Sequence, residues 1–289
     1  LNRKSKGTTP DSGSPDSRGE TAGRNNPGGG ALLGELRHFL DAARAAPRDV
    51  VIVFLATAVI VTLSYYFGSR RFFRGIFFDA LGNDRLYSLY EYLFWFGSEF
   101  VLAFLLLLVV IPVLHRRPIA EFGLGFGDWK FGLKISLLFY VVMLPILWIA
   151  SDSAEFQLVY PHAQIVKNEW ELFLIYEAAF MLYFTGWEFI WRGYMLFGLE
   201  RPFGGGSAVL AQMLPFVILH NGKPIMETLG AIVAGVALGA LALRTRSFWY
   251  CVLTHWLVML TIDLFSTLRS RSGASGIGLD ALARIVGLG

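Results

Sequence analysis

The sequence predicts an all-α, polytopic helical membrane protein with about seven transmembrane helices and a disordered N-terminal tail. Charged residues make up only 16% of the 289, against about 25% in ordinary soluble domains, while hydrophobic residues reach 55%. The apolar residues fall in blocks close to the ~20 residues that a helix needs to cross a bilayer. Those blocks are continuous, whereas a membrane β-barrel shows short segments of alternating polarity. The net charge of +3 is small and sits in the connections, as in helical membrane proteins, and nothing in it suggests nucleic acid. Cys251 is the single cysteine, so neither an intramolecular disulfide nor a cysteine metal cluster is available.

Taken in order, residues 1–31 are rich in Gly, Ser, Pro, Asn and Arg and bury too little apolar surface to fold alone, which predicts disorder. Residues 32–49 open with LLGELRHFLDAARAA, an amphipathic helix suited to a membrane surface. The N-terminal transmembrane helices fall in 50–117, with spans at 50–67 and 91–114. Between them RRFFRGIFF mixes arginines with aromatic rings, as interfacial segments do. The second span stops at HRRP, where charges meet a helix-breaking proline. A helical core follows over 118–267, with spans at 131–150, 171–198, 206–220, from Pro224 to near Arg244, and 247–267. Residues 151–170 form a polar connection, and 268–289 a polar tail. Ala231, Gly235 and Gly239 recur every four residues, a small-residue face for close helix packing. Basic residues in alternate connections favour a cytoplasmic N-terminus.

Within this apolar background, GWEFIWRGY places Glu188 and Arg192 four residues apart on one helix face, acid before base. A bare charge near mid-membrane costs about 2.5 kcal/mol or more, so such residues pair and face the bundle interior. His220 closes the next span, His255 lies inside the last, and Asp263 follows eight residues later on roughly the same face. Glu227 falls in a first helical turn, where the helix dipole stabilises an acid. Each has a structural explanation, as ion pair, cap or dipole partner. Together, on three successive apolar helices, they supply a carboxylate to take a proton and imidazoles to polarise a water. No HExxH zinc helix and no GxSxG serine elbow is present.

These motifs resemble the CPBP family (CAAX protease and bacteriocin-processing, Abi-like) of intramembrane endopeptidases, in its bacterial branch. The family carries EExxxR on one helix, FxxxH on the next and HxxxN or HxxxD on a later one. WEFIWR (187–192) resembles the first, FVILH (216–220) fits the second, and HWLVM (255–259) fits the third at its histidine. GLGFGDWKFGL, HNGKP and LRTRSFWYCVLTH are similar to the family's flanking segments, so the resemblance spans 118–266.

Two positions depart from the pattern: Trp187 stands at the first glutamate, and Met259 at the last Asn or Asp. The resemblance implies hydrolysis of a membrane-anchored protein or peptide within the bilayer, in the inner membrane of a bacterium. Glu188 and His220 would activate the water, His255 would steady the reacting group, and Arg192 would hold the Glu188 carboxylate. With Trp187 and Met259 in place, Glu227 becomes the candidate second carboxylate and Asp263 the replacement polar partner. The partial acid set predicts no metal or other cofactor, zinc on two histidines and a glutamate being the alternative. An inactive membrane scaffold or an immunity or regulatory protein is the competing class, favoured by those two residues. A transporter would show broken helices and a repeat, and neither is visible.

Overall fold

The computed structural model describes residues 27–287; of the tail expected over 1–31, residues 1–26 lie outside the described residues and the rest begins a helix. The chain divides into a unit ending at Ala46 and a unit beginning at Pro47. The first contributes helix α1, Pro27–Ala45, which exposes Leu32, Leu33, Leu36, Phe39 and Leu40 along one face. That spacing is the apolar stripe of an amphipathic helix.

The regular elements of the second unit are helices, with no strand among its described residues. Its longer helices are α2 (Arg48–Phe67), α3 (Arg70–Leu81), α4 (Tyr87–His115), α5 (Trp129–Ala150), α6 (Trp170–Phe203), α7 (Gly205–Ile218), α8 (Ile225–Thr245) and α9 (Trp249–Ser272). Ser69 caps α3 by accepting from the Phe72 amide, and Asp128 caps α5 by accepting from the Phe131 amide.

Among the described residues, six segments are long and apolar enough to cross a membrane. The sequence had implied about seven, and the difference is α7. Its 14 residues reach only ~21 Å, against a hydrocarbon core of ~30 Å.

The least apolar spanning helix is the most buried. The α6 window has a mean hydropathy of 1.2 and is 61% buried, against 2.2 and 11% for α5. The reason is that α5 turns Leu137, Val141, Val142 and Ile149 outward, where lipid accepts them, while α6 keeps its polar groups among other helices. Glycine makes this possible where α6 meets α4, since a Cβ on Gly186 would collide with the Glu99 carbonyl. Gly235 and Gly239 likewise sit against Met213, Val209 and Gln212 of α7, and Gln212 donates to the Gly235 carbonyl at 2.8 Å. The recurring small residues of α8 therefore lie at a close helix contact.

Candidate functional site

Helix α6 is not regular where the acid and base sit. It is α-helical through Glu188, runs as a π-helix over Phe189–Met195, and resumes as α-helix at Leu196. Widened turns of this kind are rare inside α-helices and concentrate at functional sites. The Arg192 guanidinium lies 3.1 Å from the Glu188 carboxylate, and both side chains are wholly buried. The cation also rests on the Phe216 ring of α7, 3.9 Å from its centroid.

The third partner comes from α9. His255 Nδ1 lies 2.6 Å from Glu188 Oε1, a short charge-assisted hydrogen bond. Glu188 therefore stands between a guanidinium and an imidazole. Its acceptance from Nδ1–H leaves His255 Nε2 as an acceptor in the neutral ring. His220 is arranged in the same way by a different partner, its Nδ1–H donating to the Phe216 carbonyl at 2.7 Å. Burial, the largest influence, holds the His220 pKa below the usual imidazole range, so the ring stays neutral.

The two imidazoles line one cavity of about 110 Å3, together with Trp187, Met259, Glu227, Lys223 and His162. Glu188 and Arg192 are not among its lining residues; Glu188 is linked to the cavity by its hydrogen bond with His255. Trp187 and Met259, the two departures from the motifs, both face the cavity.

Glu227 is brought to this cavity, in the first turn of α8. It accepts from the Tyr160 hydroxyl and lies 3.9 Å from Lys223 Nζ. Asp263 is not brought there. It is fully buried against the Glu177 carboxyl of α6. The eight residues separating it from His255 do keep it on a similar face, but they carry it ~12 Å along the helix, and it does not line the cavity.

Sequence reasoning missed His162, Lys223 and Tyr160. Lys223 Nζ is 3.0 Å from His162 Nε2 and donates to the Tyr160 hydroxyl at 3.2 Å. Burial first, then the Lys223 charge, push the His162 pKa well below its ordinary value. Burial also lowers the Lys223 pKa, against the opposing pull of Glu227. The only trace in the sequence was a histidine and a tyrosine in the polar connection YPHAQIVK and a lysine in HNGKP, residue types that loops carry routinely.

The residues present do not fit a zinc ion. Glu188 already holds His255 and Arg192, and among the described residues no three His, Cys, Asp or Glu side chains converge to ligate a metal. The arrangement instead offers two imidazoles whose Nδ1 atoms are held by other partners, one of them the Glu188 carboxylate.

Residues 169–261 match the family model described as Type II CAAX prenyl endopeptidase Rce1-like. This bears out the CAAX-protease-like resemblance drawn from the motifs. The matched segment holds Glu188, Arg192, His220, Lys223, Glu227 and His255, and it ends before Asp263. No curated protein and no solved structure gives a match.

Proposed function

We propose that the chain is an intramembrane endopeptidase that cleaves a membrane-anchored protein or peptide with a histidine-activated water, in the inner membrane of a bacterium. The observation that carries this reading is the 2.6 Å contact between buried Glu188 and a His255 ring that also lines the cavity. Glu188 fixes the His255 tautomer, so Nε2 can take a proton from water as it attacks the scissile carbonyl. The carboxylate stabilises the resulting imidazolium, which returns the proton to the departing amine. Arg192 keeps Glu188 charged and in place. Glu188 thus works through His255 and not on the water itself, because His255 lines the cavity and Glu188 does not. His220 Nε2 accepts from the attacking water and orients it. No metal takes part in this scheme.

Trp187 and Met259 support a second reading, an inactive scaffold or regulatory protein, since both put apolar surface where the family pattern has polar groups. The two separate in one experiment. The full chain in lipid nanodiscs is incubated with a prenylated CAAX peptide and with unprenylated hydrophobic tail peptides, and products are read by mass spectrometry. Cleavage by wild type that is lost in His255→Ala and much reduced in Glu188→Gln supports the peptidase. Cleavage that survives both variants, or no cleavage of any substrate, favours the scaffold.

A further inference from the structure

Hydrolysis at this cavity needs more than a base. When water adds to the scissile carbonyl, a C–O bond forms and the carbonyl π pair moves onto oxygen, so a donor must meet that charge. The two candidate imidazoles cannot supply it while neutral. Both spend their Nδ1–H on other partners, the Phe216 carbonyl and Glu188, and turn Nε2 lone pairs to the cavity. The motif position that would carry an amide or acid is Met259, whose thioether donates nothing.

Among the described residues, Lys223 is the one lysine or arginine lining the cavity. Its ammonium has three N–H groups. One meets His162 Nε2 at 3.0 Å and one meets the Tyr160 hydroxyl at 3.2 Å. Those two acceptors fix the direction of the third. The nearest carboxylate, Glu227, stays 3.9 Å away, beyond hydrogen-bond distance, and takes its own hydrogen bond from Tyr160. His162 is in turn anchored by donating Nδ1–H to the Val159 carbonyl at 3.0 Å, so it faces Lys223 only as an acceptor. A side chain on a flexible four-carbon stem is thereby held by its neighbours, with one charged donor left over, in a cavity walled largely by aromatic rings.

We propose that Lys223 is a catalytic residue that stabilises the oxyanion, in place of the polar side chain missing at Met259. The inference rests on the peptidase reading. On collapse of the tetrahedral species the pair returns to carbon, the C–N bond breaks, and the amine leaves with the proton from His255. Lys223 keeps its proton throughout.

The test uses full-length protein in nanodiscs and whichever of the tail peptides above wild type cleaves. Lys223→Met and Lys223→Gln should lower kcat by about 100-fold or more with KM changed less than about threefold, the signature of a lost oxyanion donor. Lys223→Arg, which keeps a charged donor, should retain more activity than either neutral variant. Thermal unfolding of each variant identifies those that fold as wild type, and the arginine comparison stands if a neutral variant does not. A folded neutral variant with kcat within about threefold of wild type refutes the role of Lys223 and leaves the peptidase reading intact. So does a rise in KM at unchanged kcat, which would mean that the ammonium holds a ground-state group. A wild type that cleaves nothing, by contrast, overturns both.

Discussion

Arg192→Met removes the guanidinium from behind the cavity while keeping an apolar stem of similar reach. Arg192 and Glu188 are both wholly buried and 3.1 Å apart. Unit charges ~4 Å apart at an effective dielectric of ~20 attract by about 4 kcal/mol. Removing one partner of a buried pair costs about 3–5 kcal/mol, because the other charge is left uncompensated. The lost contact with the Phe216 ring adds to this, at up to about 2 kcal/mol for a desolvated cation. His255 still donates to Glu188 at 2.6 Å, which offsets part of the loss. The expected destabilisation is therefore near the lower end, about 3 kcal/mol, or more than ~100-fold in the unfolding equilibrium. Reversible unfolding in mixed micelles measures it. Glu188→Leu combined with Arg192→Met should cost less than Arg192→Met alone, since no buried charge then lacks a partner. A single-variant cost below about 1 kcal/mol, or a double variant costing the sum of the singles, would refute the claim that this pair is a mutually dependent buried ion pair.

Stability should also fall on acidification. His162 and His220 have folded-state pKa values pushed below the ordinary imidazole value near ~6.5, so the unfolded chain binds protons first. The stability they contribute is fully present above that value and is lost as pH falls toward the depressed folded-state values. Unfolding midpoints measured between pH 8 and about 5 should decline below ~6.5, and His162→Gln should flatten the decline; a flat wild-type profile would count against the buried neutral rings. Cleavage and thermal midpoint should both be unchanged after treatment with a chelator, and activity that vanishes with chelator and returns with zinc would overturn the metal-free scheme.

How much of this could be read from the sequence depends on what each signal reports. Apolar block length reports the energy of moving a segment into lipid, so the long spans were legible. It misjudged α7 because 206–220 is apolar enough for a span, but its helix ends at Ile218 and the chain turns through the HNGK segment. Glu188, Arg192 and His255 were legible because charge in an apolar helix is costly enough to demand a partner. The partner of Glu188 on a helix 67 residues away was not, since helical spacing describes one helix at a time. Asp263 shows the same limit. Its angular position was right, but its height along α9 matched Glu177 and not the cavity. His162 and Lys223 were invisible because polar residues in a polar loop carry no energetic surprise until the loop folds back over a cavity.

The two unusual motif residues then take on a specific chemical meaning. Trp187 lines the cavity, whereas Glu188 does not and is linked to it by the hydrogen bond with His255. In the proposed scheme the ring is therefore the reacting group and the acid sets its tautomer. Glu188 and Arg192 are wholly buried, and their attraction is stronger for it. A methionine at 259 removes a donor from one turn beyond His255, while the loop that carries Lys223 and the connection that carries His162 bring a charged donor to the same space from the other side. In the proposed scheme, loss of function does not follow from the loss of two motif residues, because the cavity retains His255 with its buried partner Glu188 and the side chain of Lys223.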